Sequence, residues 1–222
     1  MPRQTIPFPP DAVPGDPAPW SVLSAEDRHV DLDRVRRALG AAPPPGLIAW
    51  SEAVAVDEAA VLVPLFEEAG EAWVVMIRRA AHLRRNAGDV AFPGGRRDPG
   101  ETLHENALRE AQEEIGLDPA DVTIVGELDH FITITGGTEM VPFVGVLAGR
   151  PLDLVANPGE VEAILSVPLR ELLVDGAHRS ELWGEERVMH LFELVGDTVW
   201  GATARLLHRF LELVTAVPAS GS

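Results

Sequence analysis

The sequence predicts an α/β domain in which a sheet of mixed strands is covered by helices on its faces. Two observations carry that expectation. Short β-rich runs recur through the middle of the chain around one well-bounded helical segment, and the last patterned segment is an amphipathic helix that must pack somewhere. The composition permits such a core, since 222 residues with 46% hydrophobic content suit one domain of ordinary size.

Taken in order, residues 1–30 form an arm that carries seven of the 19 prolines within its first 20 positions. Proline locks φ and lacks an N–H, so this stretch is expected neither to pair into a sheet nor to continue a helix, and to stay loose. Residues 31–48 read as a short helix and a linker. Leu32, Val35 and Leu39 stand at helical spacing, and Ala-Ala-Pro-Pro-Pro-Gly then breaks the pattern.

The expected domain runs from 49 to 216, with a tail at 217–222. It opens with strands at 59–66 and 72–77, joined by a hairpin through the Glu-Glu-Ala-Gly-Glu of 67–71. Residues 102–115 read as a helix with both ends marked, because Thr102 and Glu105 form a capping-box pattern and Gly116 stands where a left-handed residue is wanted. Strands are expected at 122–127, 141–148, 164–167 and 189–194. A closing helix at 202–214 aligns Leu206, Leu207, Phe210, Leu211 and Val214 on one face.

Charge and composition remove several function classes. Eighteen basic residues against 35 acidic ones give a formal charge of -17, which opposes binding to nucleic acid or to an anionic membrane. The absence of cysteine excludes disulfides, thiolate metal sites and a Cys nucleophile, so a metal would be held by oxygen or imidazole. The seven histidines show no ligand-like pairing along the chain. With no signal-peptide core at the start and no membrane-length apolar run, the expected location is cytoplasmic, with a homodimer as the candidate assembly.

The chemistry concentrates between residues 95 and 117. On a helix turning about 100° per residue, Glu114 falls about 40° from Glu110 and Glu113 about 60° to its other side, so three carboxylates share a stripe. A Glu-rich helix face is ordinarily just solvated. Here, however, bunched acids repel each other and contribute little to a fold, whereas Mg²⁺ or Mn²⁺ needs such an oxygen cluster.

Gly95, Glu101, Arg109, Glu110, Ala111, Glu113, Glu114, Gly116 and Leu117 also stand in a spacing that resembles the Nudix box, G-x5-E-x7-R-E-u-x-E-E-x-G-u with u aliphatic. Every specified position is met, with a chance probability of about 10⁻⁶ from residue frequencies, which makes coincidence a poor explanation. The resemblance implies an α/β/α sandwich around a mixed sheet and hydrolysis of a nucleoside diphosphate linked to another group, using Mg²⁺ or Mn²⁺. It further implies that Glu110 and Glu114 are the main metal ligands, with Glu113 and the Gly95 carbonyl completing the site, and that Arg109 and Glu101 orient the helix by pairing. The general base is left open between the box and a later loop, where Glu160 and Glu162 are the candidates.

Upstream, residues 75–95 are similar to the signature of the coenzyme A pyrophosphatase branch, L-L-T-x-R-S/A-x3-R-x3-G-x3-F-P-G-G. Arg79, Ala80, Arg84, Gly88, Phe92, Pro93, Gly94 and Gly95 match in register, while Val75, Met76 and Ile77 replace Leu, Leu and Thr. Residues 78–97 hold six arginines against one acid, Asp89, a basic island in an acidic chain. Arginine forks suit phosphate oxygens, so Arg79, Arg84 and Arg85 are expected to meet substrate phosphates, with Gly94 allowing close backbone approach. Arg78, Arg85, Arg96 and Arg97 have the alternative of pairing with surface acids. Trp200 is read as a core residue or an adenine-stacking one.

The expected activity is cleavage of coenzyme A or its derivatives to 3′,5′-ADP and 4′-phosphopantetheine. Its rivals are a hydrolase of ADP-ribose, NADH or another dinucleotide, and a Nudix module that binds a nucleotide without cleaving it.

Overall fold

The structure, a computed structural model, describes residues 4–48, 57–133, 137–184 and 187–219. The expected domain start at 49 and the end of the expected tail lie outside the described residues. In chain order the elements are β1 (Val13–Pro14), a 3-10 turn at Pro19–Val22, α1 (Leu32–Ala41), β2 (Leu47–Ile48), β3 (Asp57–Glu68), β4 (Glu71–Arg79), β5 (Val90–Ala91), β6 (Gly94–Arg96) and α2 (Leu103–Ile115). A second 3-10 turn at Pro119–Asp121 leads to β7 (Val122–Glu127), β8 (His130–Ile132), β9 (Thr138–Leu147), β10 (Val161–Pro168), α3 (Leu169–Leu173), β11 (His178–Trp183), β12 (Arg187–Leu194), β13 (Asp197–Val199) and α4 (Gly201–Thr215).

The main sheet has the order β10-β4-β3-β9-β8-β2, with β5, β6 and β7 alongside β4, β3 and β9. It is mixed, because β3 runs parallel to β9 and β2 parallel to β8 while the other pairs are antiparallel. β3 and β4 join through a tight turn in which Ala69 and Gly70 both take positive φ, 55° and 77°, the backbone that a two-residue hairpin requires.

Side-chain alternation along the strands builds two cores. Ala60, Leu62 and Phe66 of β3 join Val75 and Ile77 of β4 beneath Ala107, Ala111 and Ile115 of α2. Val61, Val63 and Leu65, with Val74 and Met76, face the opposite layer, where Val35 of α1 and Leu207, Phe210 and Leu211 of α4 cover them. Both faces of β3 are buried, so it reads as a continuous apolar run instead of an alternating one. The expected α/β/α sandwich with a mixed central sheet is the observed architecture.

The α2 ends follow the sequence. The Glu105 N–H donates to the Thr102 hydroxyl, the Glu105 carboxylate accepts from the Thr102 N–H, and Gly116 closes the helix at φ 69°. Among the described residues no helix is long and apolar enough to cross a membrane.

Two expectations are corrected. The proline-rich arm is not loose over its described residues and does enter a sheet. β1 pairs antiparallel with β11 at the edge of a small sheet ordered β1-β11-β12-β13. A proline costs little at an edge, where its missing donor would face away from the ladder. Trp20, 2% exposed, then anchors the arm against Phe192. Arg34, 1% exposed, donates to the carbonyls of Asp27, His29, Thr215 and Val217, tying arm, α1 and the end of α4 together.

The second correction concerns the histidines. His178 of β11, His190 of β12 and His208 of α4 meet in space, a grouping that their wide sequence separation hides.

Candidate active site

The strand β6 passes directly under α2, and two glycines make that approach feasible. A Cβ at Gly94 would stand 2.4 Å from the Ala60 carbonyl oxygen and 2.7 Å from the Val61 Cα. At Gly95 it would stand 2.5 Å from the carboxylate carbon of Glu110. The strand therefore lies against both β3 and an acidic side chain of the helix.

Glu114 is 1% exposed, although it stands on the helical stripe of acids. The Gly94 N–H donates to its Oε2 at 3.0 Å, and an Arg79 guanidinium nitrogen lies 3.7 Å from its Oε1. Burial pushes its pKa up to about 7; the Gly94 N–H and Arg79 pull against that rise, while Glu110 and Glu160 add to it. Glu110 is also raised, chiefly by burial, with Arg109 opposing. Two acids thus lie side by side where water solvates them poorly, and burial works against the charged form of each.

Arg109 organises the outer part of the cluster. Its guanidinium donates to both carboxylate oxygens of Glu101, at 2.8 and 3.2 Å, and to Glu113 at 3.0 Å, and it contacts Glu110 at 3.0 Å. A further bond to the Arg96 carbonyl, at 3.2 Å, fastens the helix to β6. The Arg109 hydrogen bonds hold Glu101 below the usual carboxylate range, with the Asp98 N–H helping. Glu113 is the solvent-facing member, its side chain 58% exposed.

The structure separates the candidate arginines. Arg79 has its Nε buried with no hydrogen-bond partner among the described residues. Arg84 and Arg85 are exposed on the segment between β4 and β5 and form no ion pair among those residues. Arg78 instead pairs with Asp197 and Glu162, Arg96 with Asp57, and Arg97 with Glu58.

The two loop acids also part. Glu160 is exposed, acts on both Glu110 and Glu114, and is tied to the Arg79 segment through its carbonyl, which accepts from the Ala80 N–H at 2.8 Å. Glu162 is engaged by Arg78 at 3.6 Å. Trp200 is half-buried, and its indole N–H donates to Asp89 at 2.9 Å.

Sequence reasoning did not find the Arg79–Glu114 contact or the unpartnered Arg79 Nε. The signal was the register of Arg79 alone, which says nothing about what lies across the sheet.

The NUDIX domain family model matches residues 57–192 of the chain. The protein "Nudix hydrolase 22, chloroplastic" of Arabidopsis thaliana is 38% identical over 175 residues, covering 72% of this chain and 56% of the relative. The "Uncharacterized Nudix hydrolase NudL" of Photorhabdus laumondii is 35% identical over 160 residues, covering 70% of this chain and 84% of the relative. A crystal structure of a MutT/nudix family protein from Enterococcus faecalis aligns with TM-score 0.49 and 19% identity, covering 71% of this chain and 62% of that one. The chain spans little more than half the length of the Arabidopsis relatives it matches. With the box complete, its acids gathered at one place and the family model spanning more than half of the residues, the chain belongs to the Nudix family.

Proposed function

We propose that this chain is a divalent-cation-dependent hydrolase that cleaves the diphosphate of coenzyme A or a derivative, giving 3′,5′-ADP and 4′-phosphopantetheine. The observation that carries the reading is a pair of poorly solvated acids, Glu114 and Glu110, with the Arg79 guanidinium beside Glu114 and its Nε without a partner among the described residues. Buried like charges are unfavourable alone and become favourable around a hard cation.

The residues fit Mg²⁺ or Mn²⁺, because the donors are carboxylate oxygens and the Gly95 backbone leaves no side chain between strand and acid. Glu110 and Glu114 would hold the ion, with Glu113 and the Gly95 carbonyl at its edge. When bound, such an ion neutralises diphosphate charge and makes water a better nucleophile near neutral pH.

The chain's own residues supply the rest. Arg109 holds Glu101, Glu110 and Glu113 in one arrangement, so the acids do not have to be ordered when substrate arrives. Arg79 presents donors beside Glu114, where a diphosphate oxygen would lie, and Arg84 and Arg85, without an ion pair among the described residues, offer charge to more distant phosphates such as a 3′-phosphate. Glu160, exposed beside the acids, is the loop candidate for accepting the proton of the attacking water, and Glu113 is the candidate from the box. Glu162, already engaged by Arg78, is the weaker loop candidate. Residues 49–216 form the hydrolase domain in this reading.

The test is product analysis after incubation with Mg²⁺ and, in parallel, coenzyme A, dephospho-coenzyme A, ADP-ribose and NADH. Fastest release of 3′,5′-ADP from coenzyme A supports the proposal. Faster turnover of ADP-ribose or NADH leaves only the diphosphate hydrolase, and no turnover of any substrate favours a binding module.

A further inference from the structure

Three imidazoles converge in the core layer covered by α4, on the opposite side of the main sheet from the α2 carboxylates. His178 and His190 come from neighbouring strands. The register Ser180↔His190 and His178↔Phe192 makes them diagonal neighbours on one sheet face. His208 reaches them from α4; its ring centroid lies 5.1 Å from that of His178, and 3.8 Å from that of His190, on which it stacks with an interplanar angle of 18°.

One ring nitrogen of each histidine lies within 4.8 Å of the others. The His178 Nε2 and His190 Nδ1 are 3.1 Å apart. Two imidazole nitrogens on one tetrahedral Zn²⁺ are separated by about 3.3 Å, so this pair already stands at ligand spacing. The other His178 nitrogen, Nδ1, is buried with no hydrogen-bond partner among the described residues. The cluster is therefore not a self-satisfied polar network, since a buried ring nitrogen is left over.

Burial is also the main reason that all three rings stay neutral, with pKa values of about 4, 3 and 4 for His178, His190 and His208. A neutral imidazole keeps the lone pair that a metal needs. The charges facing the cluster are Arg179, Arg205 and Arg209. Arg179 is held by Glu181 and Glu193, and Arg209 by Asp129 and Glu212. A cavity of about 440 Å³, lined by His190, His208, Arg205, Asp129 and Glu212 among others, reaches two of the three rings.

We propose that His178, His190 and His208 form a second metal site, selective for Zn²⁺ over Mg²⁺, that ties β11 and β12 to α4. Imidazole nitrogen suits Zn²⁺ and its neighbours in the transition series, whereas Mg²⁺ and Mn²⁺ favour the oxygen cluster of α2. The site joins the small sheet that holds the N-terminal arm to the closing helix, so its role is structural, and it does not depend on the proposed hydrolytic activity.

The experiment is a Co²⁺ titration of the metal-stripped full chain with excess Mg²⁺ present to occupy the carboxylates, read by visible absorption and followed by displacement with Zn²⁺. The expected result is one equivalent of Co²⁺ with the intense visible band of a nitrogen-ligated site, abolished by Zn²⁺. That band should persist in Glu114→Gln, and His208→Gln should weaken Co²⁺ binding by ~10-fold or more. A wild-type protein with no such band overturns the proposal, which keeps the test decisive even where His208→Gln fails to fold. So does a band that His208→Gln leaves intact, or one that disappears in Glu114→Gln.

Discussion

The backbone of Gly95 and the carboxylate of Glu110 occupy adjoining space: a Cβ on the glycine would stand 2.5 Å from the carboxylate carbon and from Oε1. Gly95→Ala must therefore displace the end of a flexible acidic side chain. The expected outcome is a fall in kcat of ~100-fold with little change in thermal stability, because only the Glu110 carboxylate has to move. At Gly94 the same change meets the backbone of β3, so Gly94→Ala should destabilise the fold by ~1–3 kcal/mol or more. Denaturation curves and initial rates of the two variants separate these effects.

Glu114→Gln keeps the shape of the side chain and removes its charge. Turnover with Mg²⁺ is expected to drop by ~100-fold or more while circular dichroism stays unchanged. A rate near that of the wild type would remove Glu114 from the metal site.

Arg109 engages three acids through a planar fork that lysine cannot copy. Arg109→Lys should lower kcat by ~10–100-fold, since the acids lose their common support. Its cost in stability should stay near ~1 kcal/mol or less, because the pairs remain partly open to water. Rate and melting temperature measured on one preparation test that split.

Arg84→Ala should raise KM for coenzyme A more than for ADP-ribose, because an exposed arginine with no ion pair among the described residues has charge to offer a phosphate that ADP-ribose lacks. Equal effects on the two substrates would remove its proposed role.

His130 gives a pH dependence of stability. Its ring lies 2.5 Å from Glu127 and 3.1 Å from Glu139. Burial lowers its pKa, but the hydrogen bonds to the two carboxylates outweigh that effect and the net shift is upward. A raised folded pKa means that the imidazolium stabilises the fold fully below the unfolded value of about 6.5 and that this contribution is lost as pH rises through the folded value. His130→Gln should therefore cost ~1 kcal/mol near pH 5.5 and less at alkaline pH, as read by denaturant titration at each pH.

Much of this was legible along the chain because the signals are local. The capping box at Thr102 and Glu105, the terminal Gly116 and the apolar stripe of α4 each lie within one or a few helical turns, and each reappears in the structure. The basic island was partly legible. Its arginines could be counted, but Arg78, Arg96 and Arg97 find their acids on other elements, a sorting that needs coordinates. The strands β1, β11 and β13 were not anticipated. β1 pairs with the distant β11, and the two residues of β1 and three of β13 carry too little alternation to read, while the six residues of β11 hold three polar side chains and a His that mask their pattern.

By itself the sequence determined the spacing of the Nudix box and the helix that displays it, because residues three and four apart on a helix share a face whatever surrounds them. Only the tertiary structure decided that Glu114 is buried against Gly94 and Arg79 while Glu113 faces water, that the proline-rich arm is tied down by Trp20 and Arg34, and that three scattered histidines meet. Burial and contact across a sheet are properties of segments brought together by packing, and no local rule of chain geometry encodes them.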